Sequence, residues 1–301
     1  MPRPDVTAAL GLAYRRIPIM AIGNDVILDS GRHIARLDQL PPVRNAVMQG
    51  ISSSADHAAV QFLVGQFVCR VFFRTASLLL PPDGAFLGSP AFIEDRRKLL
   101  GIDFAASARA RGPSATAELV ALLAWLEDGL LADGRDWILA TERVTAVDVE
   151  AVWVLIWLDD MPGALSDERL FGAARFPRVR AWMDRFREAV AEAKRRTGEP
   201  EDVSGEDAAR LIKAAAPSAD TAGVGVPSDD PVAAAMDLRL GDRITIRTSD
   251  VPNATEKDTG ALAALTRDEV ALDVETPAGG FRLWAPRNNF HIQKATPQEK
   301  I

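Results

Sequence analysis

The spacing of hydrophobic residues divides this 301-residue chain into four stretches. Near the N-terminus, after a helix-poor opening, two short apolar runs, Ile17 to Ile22 and Val26 to Leu28, flank Gly23-Asn24-Asp25. Because Gly and Asn tolerate a positive φ, this pattern predicts a β-hairpin. The residues from Arg32 to Leu40 then carry apolar side chains at helical spacing until Pro41-Pro42, which predicts a short helix.

The second stretch, from about Val43 to Arg196, has the hydrophobic spacing of amphipathic helices throughout. Its pattern predicts helices over Phe62 to Leu80, over Thr116 to Leu131, from Thr145 onward, and over Arg178 to Arg195. The third of these is nearly apolar on all sides from Ala151 to Leu158, which is typical of a helix at the centre of a bundle. Thr145 and Asp148 have the spacing of a capping box and predict where this helix begins. We therefore expect an all-α domain.

The C-terminal part of the chain changes first to a linker composition and then to a period of two. Residues 197–235 are rich in Ala, Pro, Gly, Ser and Asp, which predicts a linker with one short helix, Asp207 to Ala216. From Leu238 onward apolar and polar residues alternate, as at Ile244 and Ile246, and turn sequences separate the runs. This pattern predicts four or five strands in a small antiparallel sheet or SH3-like barrel. The fold class expected for the whole chain is α+β, with domains at 1–42, 43–196 and 236–293 and a linker at 197–235.

Composition and charge exclude several classes of function. The chain carries 35 Lys and Arg against 42 Asp and Glu, a net charge of −7, which argues against nucleic acid as a partner. A single cysteine, Cys69, excludes an internal disulfide, and the three histidines lack metal-ligand spacing. There is no apolar leader, and no apolar run approaches the roughly 20 residues that span a bilayer. We expect a cytoplasmic protein without a bound metal or a membrane partner.

Two motifs near the hairpin have the chemistry of a site for a peptide-like ligand. Ile17-Pro18 places a proline at a strand entrance, where it can turn the main chain of Ile17 away from the sheet, although an ordinary trans proline also suits a strand start. Asp29-Ser30 opens a helix whose free N–H groups and Ser30 hydroxyl can hold a carboxylate, while Asp29 can hold an ammonium group. The same two residues also fit a plain helix N-cap, so both interpretations stay open.

The order of these features resembles the glutathione S-transferase (GST) family. The resemblance rests on the proline-bearing strand and hairpin, Asp29-Ser30 on a helix, the capping pair that opens a buried helix, and the segment Phe176-Pro-Arg-Val-Arg-Ala-Trp182. Three further segments are similar to fungal GST-like proteins that carry an extra C-terminal β module: Pro2-Arg-Pro-Asp5, Tyr14-Arg-Arg-Ile-Pro18 and Gly241-Asp242. The resemblance covers most of the chain.

This resemblance implies both a ligand and a reaction. Residues 1–42 would be a thioredoxin-like domain in which Pro18 is cis and the main chain of Ile17 binds glutathione. Asp29 and Ser30 would hold the γ-glutamyl end of glutathione. The implied activity is conjugation of the glutathione thiolate, as co-substrate, to a small electrophile, and the implied assembly is a homodimer.

The chain departs from the family pattern at its beginning. In the family a β-α-β segment precedes the part that matches Pro2-Arg-Pro-Asp5, and that segment carries the residue that activates the thiol. We therefore expect an incomplete thioredoxin-like domain whose first strand, Ile17 to Ile22, is an exposed apolar edge. No catalytic residue is predicted, since Tyr14 lies before the hairpin. A non-catalytic binding or scaffold protein of the same fold is the alternative function.

The remaining aromatic and sulfur-containing residues are expected to be mainly structural. Core packing is the first expectation for Phe72, Phe73, Trp153 and Trp157, with an apolar pocket for the electrophile as the alternative. Cys69 is expected to be a small buried hydrophobe. In the β module, the side chains of Arg282, Trp284, Arg287 and Phe290 suggest an amphipathic face that contacts another protein.

Overall fold

The computed structural model describes residues 4–40, 55–81, 89–101, 103–218, 221, 223–249, 251, 255–277 and 279–295. The chain divides into two compact units. The first, here called the sheet unit, comprises residues 1–33, 98–101 and 201–301, and the second, the helical unit, comprises 34–97 and 102–200. This division differs from the linear one expected from the sequence, because residues from both ends of the chain build the same unit.

A seven-stranded sheet forms the centre of the sheet unit. Its strands are β1 (Ile19–Ile22), β2 (Asp25–Leu28), β3 (Arg243–Thr248), β4 (Asp258–Leu265), β5 (Glu269–Val274), β6 (Phe281–Pro286) and β7 (Phe290–Lys294). They lie in the order β1-β2-β6-β5-β4-β3-β7. The pairs are antiparallel except β2 with β6, which run parallel and place Val26 opposite Leu283. The N-terminal hairpin and the C-terminal strands, expected in separate domains, are therefore one sheet.

Strand β2 joins this sheet because it carries apolar side chains on both of its faces. All four residues of β2 are buried. Val26 and Leu28 pack into the main core of the unit, and Ile27 packs on the opposite face beside Trp284. Successive side chains of a strand point to opposite faces, so an uninterrupted apolar run is suited to a strand covered on both sides.

Trp284 does not lie on an exposed face, so the amphipathic contact surface expected around it is wrong. Its side chain is 1 % exposed, and its indole Nε1–H donates to Oδ1 of Asp25 at 2.8 Å. Phe290 is half-buried against Tyr14, and Arg282 pairs with Asp273 at 2.8 Å. The parallel pairing of β6 with β2 buries the surface that an isolated β module would have exposed.

Among the described residues, the helices that lie wholly in the sheet unit are α1 (Pro4–Leu10), α10 (Gly205–Ala214) and α11 (Pro231–Ala235). The first of them, α1, occupies the opening that was expected to be poor in helix. It forms because Val6, Ala9 and Leu10 pack against the sheet core, so tertiary burial stabilises a helix that is too short to be stable alone. The predicted short helix in the linker is α10, where Ser204 accepts the N–H of Asp207 at 3.0 Å.

Helices make up the helical unit, as the sequence predicts. They are α3 (Ala55–Phe67), α4 (Phe73–Ser77), α6 (Phe104–Trp125), α7 (Ala146–Asp159), α8 (Glu168–Phe171) and α9 (Pro177–Thr197), with π-helical segments at Val68–Phe72 and Leu126–Leu130. Helix α2 (Ser30–Leu37) and helix α5 (Pro90–Leu100) each have residues in both units. Helix α6 begins well before the predicted Thr116, because Pro113 is accommodated inside the helix rather than ending it.

The predicted capping residues open helix α7. The Asp148 carboxylate accepts the backbone N–H of Thr145 at 3.0 Å and its hydroxyl at 2.8 Å. Its other oxygen accepts the N–H of Ile138 at 2.9 Å and the indole N–H of Trp182, in α9, at 3.1 Å. One fully buried carboxylate therefore starts α7 and fixes α9 against it. None of the helices in the described residues has the length and hydrophobicity that crossing a bilayer requires.

Candidate functional site

The four candidate ligand-binding residues lie at one end of the β1–β2 hairpin. The Ile17-Pro18 peptide bond is cis, as the resemblance implied. Pro18 directly precedes β1, Asp29 directly follows β2, and the last pair of the hairpin is Ile19 with Leu28. The register therefore brings Ile17-Pro18 and Asp29-Ser30 close to each other, although eleven positions separate Pro18 from Asp29 in the chain.

Ile17 is exposed at the edge of the sheet. Its side chain is 63 % exposed, and β1 is the terminal strand of the described sheet. No described strand pairs with the outer side of β1, which agrees with the edge expected from the sequence. Main-chain N–H and C=O groups on such an edge are those to which an extended peptide can add.

Asp29 and Ser30 form the start of helix α2. Asp29 has a φ of +75°, and its Oδ1 accepts the N–H of Gly31 at 3.1 Å. Its main-chain oxygen accepts the N–H groups of Arg32 and His33, so Asp29 caps the helix. Ser30 is exposed in the first turn. The N-terminus of α2, with its positive end of the helix dipole, therefore lies at the same end of the hairpin as Ile17.

His33 fixes the orientation of α2 relative to the hairpin. Its ring Nε2 lies 2.7 Å from the carbonyl oxygen of Ile27, and the side chain is buried. On the next residue back, the Arg32 guanidinium pairs with the buried carboxylate of Glu269 at 3.1 Å. These two contacts hold the first turn of α2 against β2 and β5, so the helix N-terminus has a defined position.

The segment that leads to Ile17 is held by residues from the other end of the chain. The carboxylate of Asp258 accepts the N–H of Ala13 at 2.7 Å and that of Tyr14 at 3.1 Å. Arg15 pairs with Glu256 at 3.2 Å. Burial raises the pKa of the Asp258 carboxyl to about 6, although both N–H donors act to lower it. The C-terminal strands thus support the candidate site directly.

The turn of the hairpin is held in the same way. The Asn24 side-chain amide donates to the carbonyl oxygens of Ile212 at 2.9 Å and Gly280 at 3.0 Å. The buried Asp25 carboxylate accepts from Trp284 and also from Thr221 Oγ1 at 2.6 Å. The sequence identified Asn24 and Asp25 only as turn residues, because their partners are about 190 to 260 positions away in the chain.

No thiol-activating residue is assigned by the described site. The Tyr14 ring stacks on Phe290 with 6.0 Å between ring centroids, which gives it a packing role. The expectation that Cys69 is buried lies outside the described residues, since its side chain is not among them. In the part of the chain that the structure describes, no three His, Cys, Asp or Glu side chains are grouped as metal ligands.

The aromatic residues expected to pack in the core of the helical unit differ in their exposure. Phe72 is buried, as expected. The Phe73 ring instead lies 5.4 Å from that of Trp153 and 5.6 Å from that of Trp157, and Phe73 and Trp153 are 39 % and 37 % exposed. For these two residues the core expectation is wrong, because they lie on a partly open apolar surface.

Three comparisons with known proteins bear on this arrangement. A family model described as a domain of unknown function, DUF7962, matches residues 75–195, within the helical part of the chain. No curated protein matches the chain. The structure is similar to that of a GST-like protein from Pseudomonas syringae, at 22 % sequence identity and a TM-score of 0.62, covering 98 % of this chain and 87 % of that chain. The chain therefore has a GST-like fold.

Proposed function

We propose that this protein binds glutathione at the end of the β1–β2 hairpin. The observation that carries the proposal is that the exposed residue Ile17, two positions before the edge strand β1, lies at the same end of the hairpin as the N-terminus of helix α2. Glutathione is a short peptide with two carboxylates and one ammonium group, so it needs both kinds of partner. The GST-like fold supports the same ligand.

Each part of glutathione has a partner of suitable chemistry in this arrangement. The main-chain N–H and C=O of Ile17 would pair with the cysteinyl residue, as an added strand pairs with a sheet edge. The free N–H groups of the first turn of α2 and the hydroxyl of Ser30 would bind the α-carboxylate of the γ-glutamyl residue. Asp29 would bind the ammonium group, since a carboxylate that already accepts one N–H keeps further acceptor capacity.

The reaction proposed for the bound glutathione is conjugation to a small electrophile. The thiolate sulfur would form a bond to an electrophilic carbon, and the electron pair of the displaced bond would leave with its substituent. A cytoplasmic homodimer belongs to this proposal through the family resemblance.

A non-catalytic binding or scaffold protein is the second candidate function. It is favoured by one observation: Tyr14, the only tyrosine of the chain, stacks on Phe290 and so has a packing role. Under this alternative the protein binds glutathione without turnover.

The proposal is tested by calorimetric titration of the full chain with reduced glutathione. Ser30→Ala removes the hydroxyl and is expected to raise Kd about 3- to 10-fold, the cost of one hydrogen bond. Ser204→Ala, which removes a hydroxyl from the start of another helix of the sheet unit, is the matched control and should leave Kd unchanged. Turnover of a model aromatic halide is then measured with the same proteins.

Each result of this experiment decides a different part of the proposal. A folded wild-type protein that does not bind glutathione contradicts the proposed function. Binding that Ser30→Ala leaves unchanged contradicts the role of α2. Binding without turnover favours the scaffold alternative over the transferase.

A further inference from the structure

A buried carboxylate at the start of β4 holds the chain segment that leads to the candidate ligand site. Asp258 is 8 % exposed, and its two oxygens accept the N–H groups of Ala13 and Tyr14. Tyr14 is three residues before Ile17, a distance of at most about 11 Å along an extended chain. Asp258 is too deeply buried to serve as a surface contact for ligand, so its effect on the site passes through the main chain.

Other contacts hold the same segment but stop before Ile17. Leu12 is buried in the core of the sheet unit, the Tyr14 ring stacks on Phe290, and Arg15 pairs with Glu256. The Asp258 contacts fix main-chain atoms at two consecutive residues. Two adjacent N–H groups held by one carboxylate define the direction of the chain as well as its position.

We propose that Asp258 is a positioning residue for glutathione binding. By accepting the N–H groups of Ala13 and Tyr14, Asp258 sets the direction of the main chain at Ile17. This inference rests on the proposed function. In the proposed complex, Asp258 contacts no atom of glutathione. The C-terminal strands therefore contribute to ligand affinity although they contribute no ligand contact.

The charge state of Asp258 gives the proposal a pH dependence. Burial raises the pKa of Asp258 to about 6. An ionised carboxylate accepts both N–H groups, whereas a protonated one turns an O–H donor toward one of them and loses that bond. The charged groups that line the cleft beside Asp258 are Arg15, Arg16, Arg247 and Glu256, and Leu99 and Phe290 line it with apolar atoms. Glutathione affinity should therefore fall as the pH decreases through about 6.

The test compares wild type, Asp258→Asn and the control Asp230→Asn by calorimetric titration of the full chain with reduced glutathione. Asp230 is the matched control because it also accepts two backbone N–H groups, those of Val232 and Ala233, at the start of helix α11. Titrations at about pH 7.5 and about pH 5 lie on either side of the Asp258 transition, and the thiol of glutathione stays protonated at both.

The expected result separates the positioning role from a merely structural one. At the higher pH, Asp258→Asn should raise Kd about tenfold, the cost of one bond to a charged acceptor. Wild type and Asp230→Asn should both lose affinity at the lower pH, whereas Asp258→Asn should not. The other ionisable groups are common to the proteins compared, so only the difference between wild type and Asp258→Asn is assigned to Asp258.

Circular dichroism and a thermal melt establish that each variant is folded under the conditions of the titration. If Asp258→Asn does not fold, Phe290→Leu loosens Tyr14 without changing the carboxylate, and it should weaken binding about threefold while keeping the pH dependence. A wild-type Kd in Asp258→Asn, or an equal pH dependence in both, overturns the inference and leaves the proposed function standing. A wild type that does not bind at about pH 7.5 overturns the proposed function and this inference with it.

Discussion

Buried carboxylates connect elements of the fold that are far apart in the sequence. Asp25 holds the hairpin turn to the C-terminal strands, Asp148 joins α7 to α9, and Glu127 accepts the first N–H groups of α9 at Arg178 and Val179. Each satisfies backbone or indole donors that burial would otherwise leave without a partner. Burial raises the pKa of the Asp258 carboxyl to about 6, because its two N–H donors do not offset the cost of burial.

The raised pKa of Asp258 predicts how its ionisation changes the stability of the protein with pH. The pKa of its carboxyl rises from 3.8 to about 6 on folding, so between these values the unfolded chain ionises first and stability is lost as pH rises. Each pH unit in that window costs about 1.4 kcal/mol, a total of about 3 kcal/mol. Urea unfolding of wild type and Asp258→Asn should show wild type losing this amount relative to the variant between about pH 4 and about pH 7.

All other ionisable groups are common to the two proteins. Their contributions therefore cancel in the difference in unfolding free energy between wild type and Asp258→Asn. A difference in unfolding free energy that stays constant over this pH window would contradict the burial of an ionised carboxylate at this position. A difference that grows with pH in the opposite sense would mean that the N–H donors outweigh desolvation.

The sequence predicted the roles of residues whose hydrogen-bond partners are close in the chain. It did not predict the roles of residues whose partners are far away. Thr145 and Asp148 are three positions apart, and their spacing predicted the start of α7. Asp258 and Ala13 are 245 positions apart, and nothing in the local pattern around Asp258 distinguishes it from a solvent-exposed loop carboxylate. Ile17, Pro18, Asp29 and Ser30 were identified from their local chemistry and assigned to glutathione through a family resemblance, and the hairpin register brings them close together.

At the scale of elements, the periodicity of the sequence predicted where strands and helices form. It did not predict which strands pair with each other. The alternation at residues 243–247 and the apolar runs of the hairpin became β3, β1 and β2. Strand β4 was not identified as a separate run, since six of its eight residues are buried and its alternation is weak. Strand pairing depends on which edges meet in the folded chain, and hydrophobic spacing carries no information about that.

The hairpin turn offers a test of how tightly these elements meet. Gly23 has a φ of +59°, and a Cβ added there would lie 2.6 Å from the carbonyl oxygen of Ala216. Gly241 has a φ of +86° with no neighbouring atom within 4 Å, so it is a matched control for the backbone conformation alone. Gly241→Ala should cost about 1 kcal/mol, and Gly23→Ala about 1–3 kcal/mol more because the contact must be relieved.

Urea unfolding of the two variants measures both costs. Equal losses in Gly23→Ala and Gly241→Ala would mean that the turn does not approach the segment after α10 as closely as the structure shows. A larger loss in Gly23→Ala, together with weaker glutathione binding, would connect the anchoring of the turn to the site at the other end of the hairpin.

At the scale of the whole molecule, the two units are built from different parts of the chain than a linear division suggests. Residues 1–33 and 201–301 share one sheet, and the helices between them form a second core. The hairpin that carries the candidate site therefore depends for its stability on the C-terminal strands. This dependence explains why an N-terminal hairpin too small to bury a core of its own can hold the candidate site residues in a defined arrangement.

Hydrogen exchange in two core variants tests this dependence. Leu283, in β6, and Leu155, in α7, are both essentially buried, and Leu→Ala at such positions costs about 2–5 kcal/mol. Leu283→Ala should accelerate exchange of the β2 amides together with those of β5 and β6, because all belong to one sheet. Leu155→Ala should accelerate exchange in α7 and α9 and leave the β2 amides protected. If the β2 amides instead respond to Leu155→Ala and not to Leu283→Ala, the hairpin depends on the helical unit, and the parallel pairing of β2 with β6 does not hold the candidate site in place.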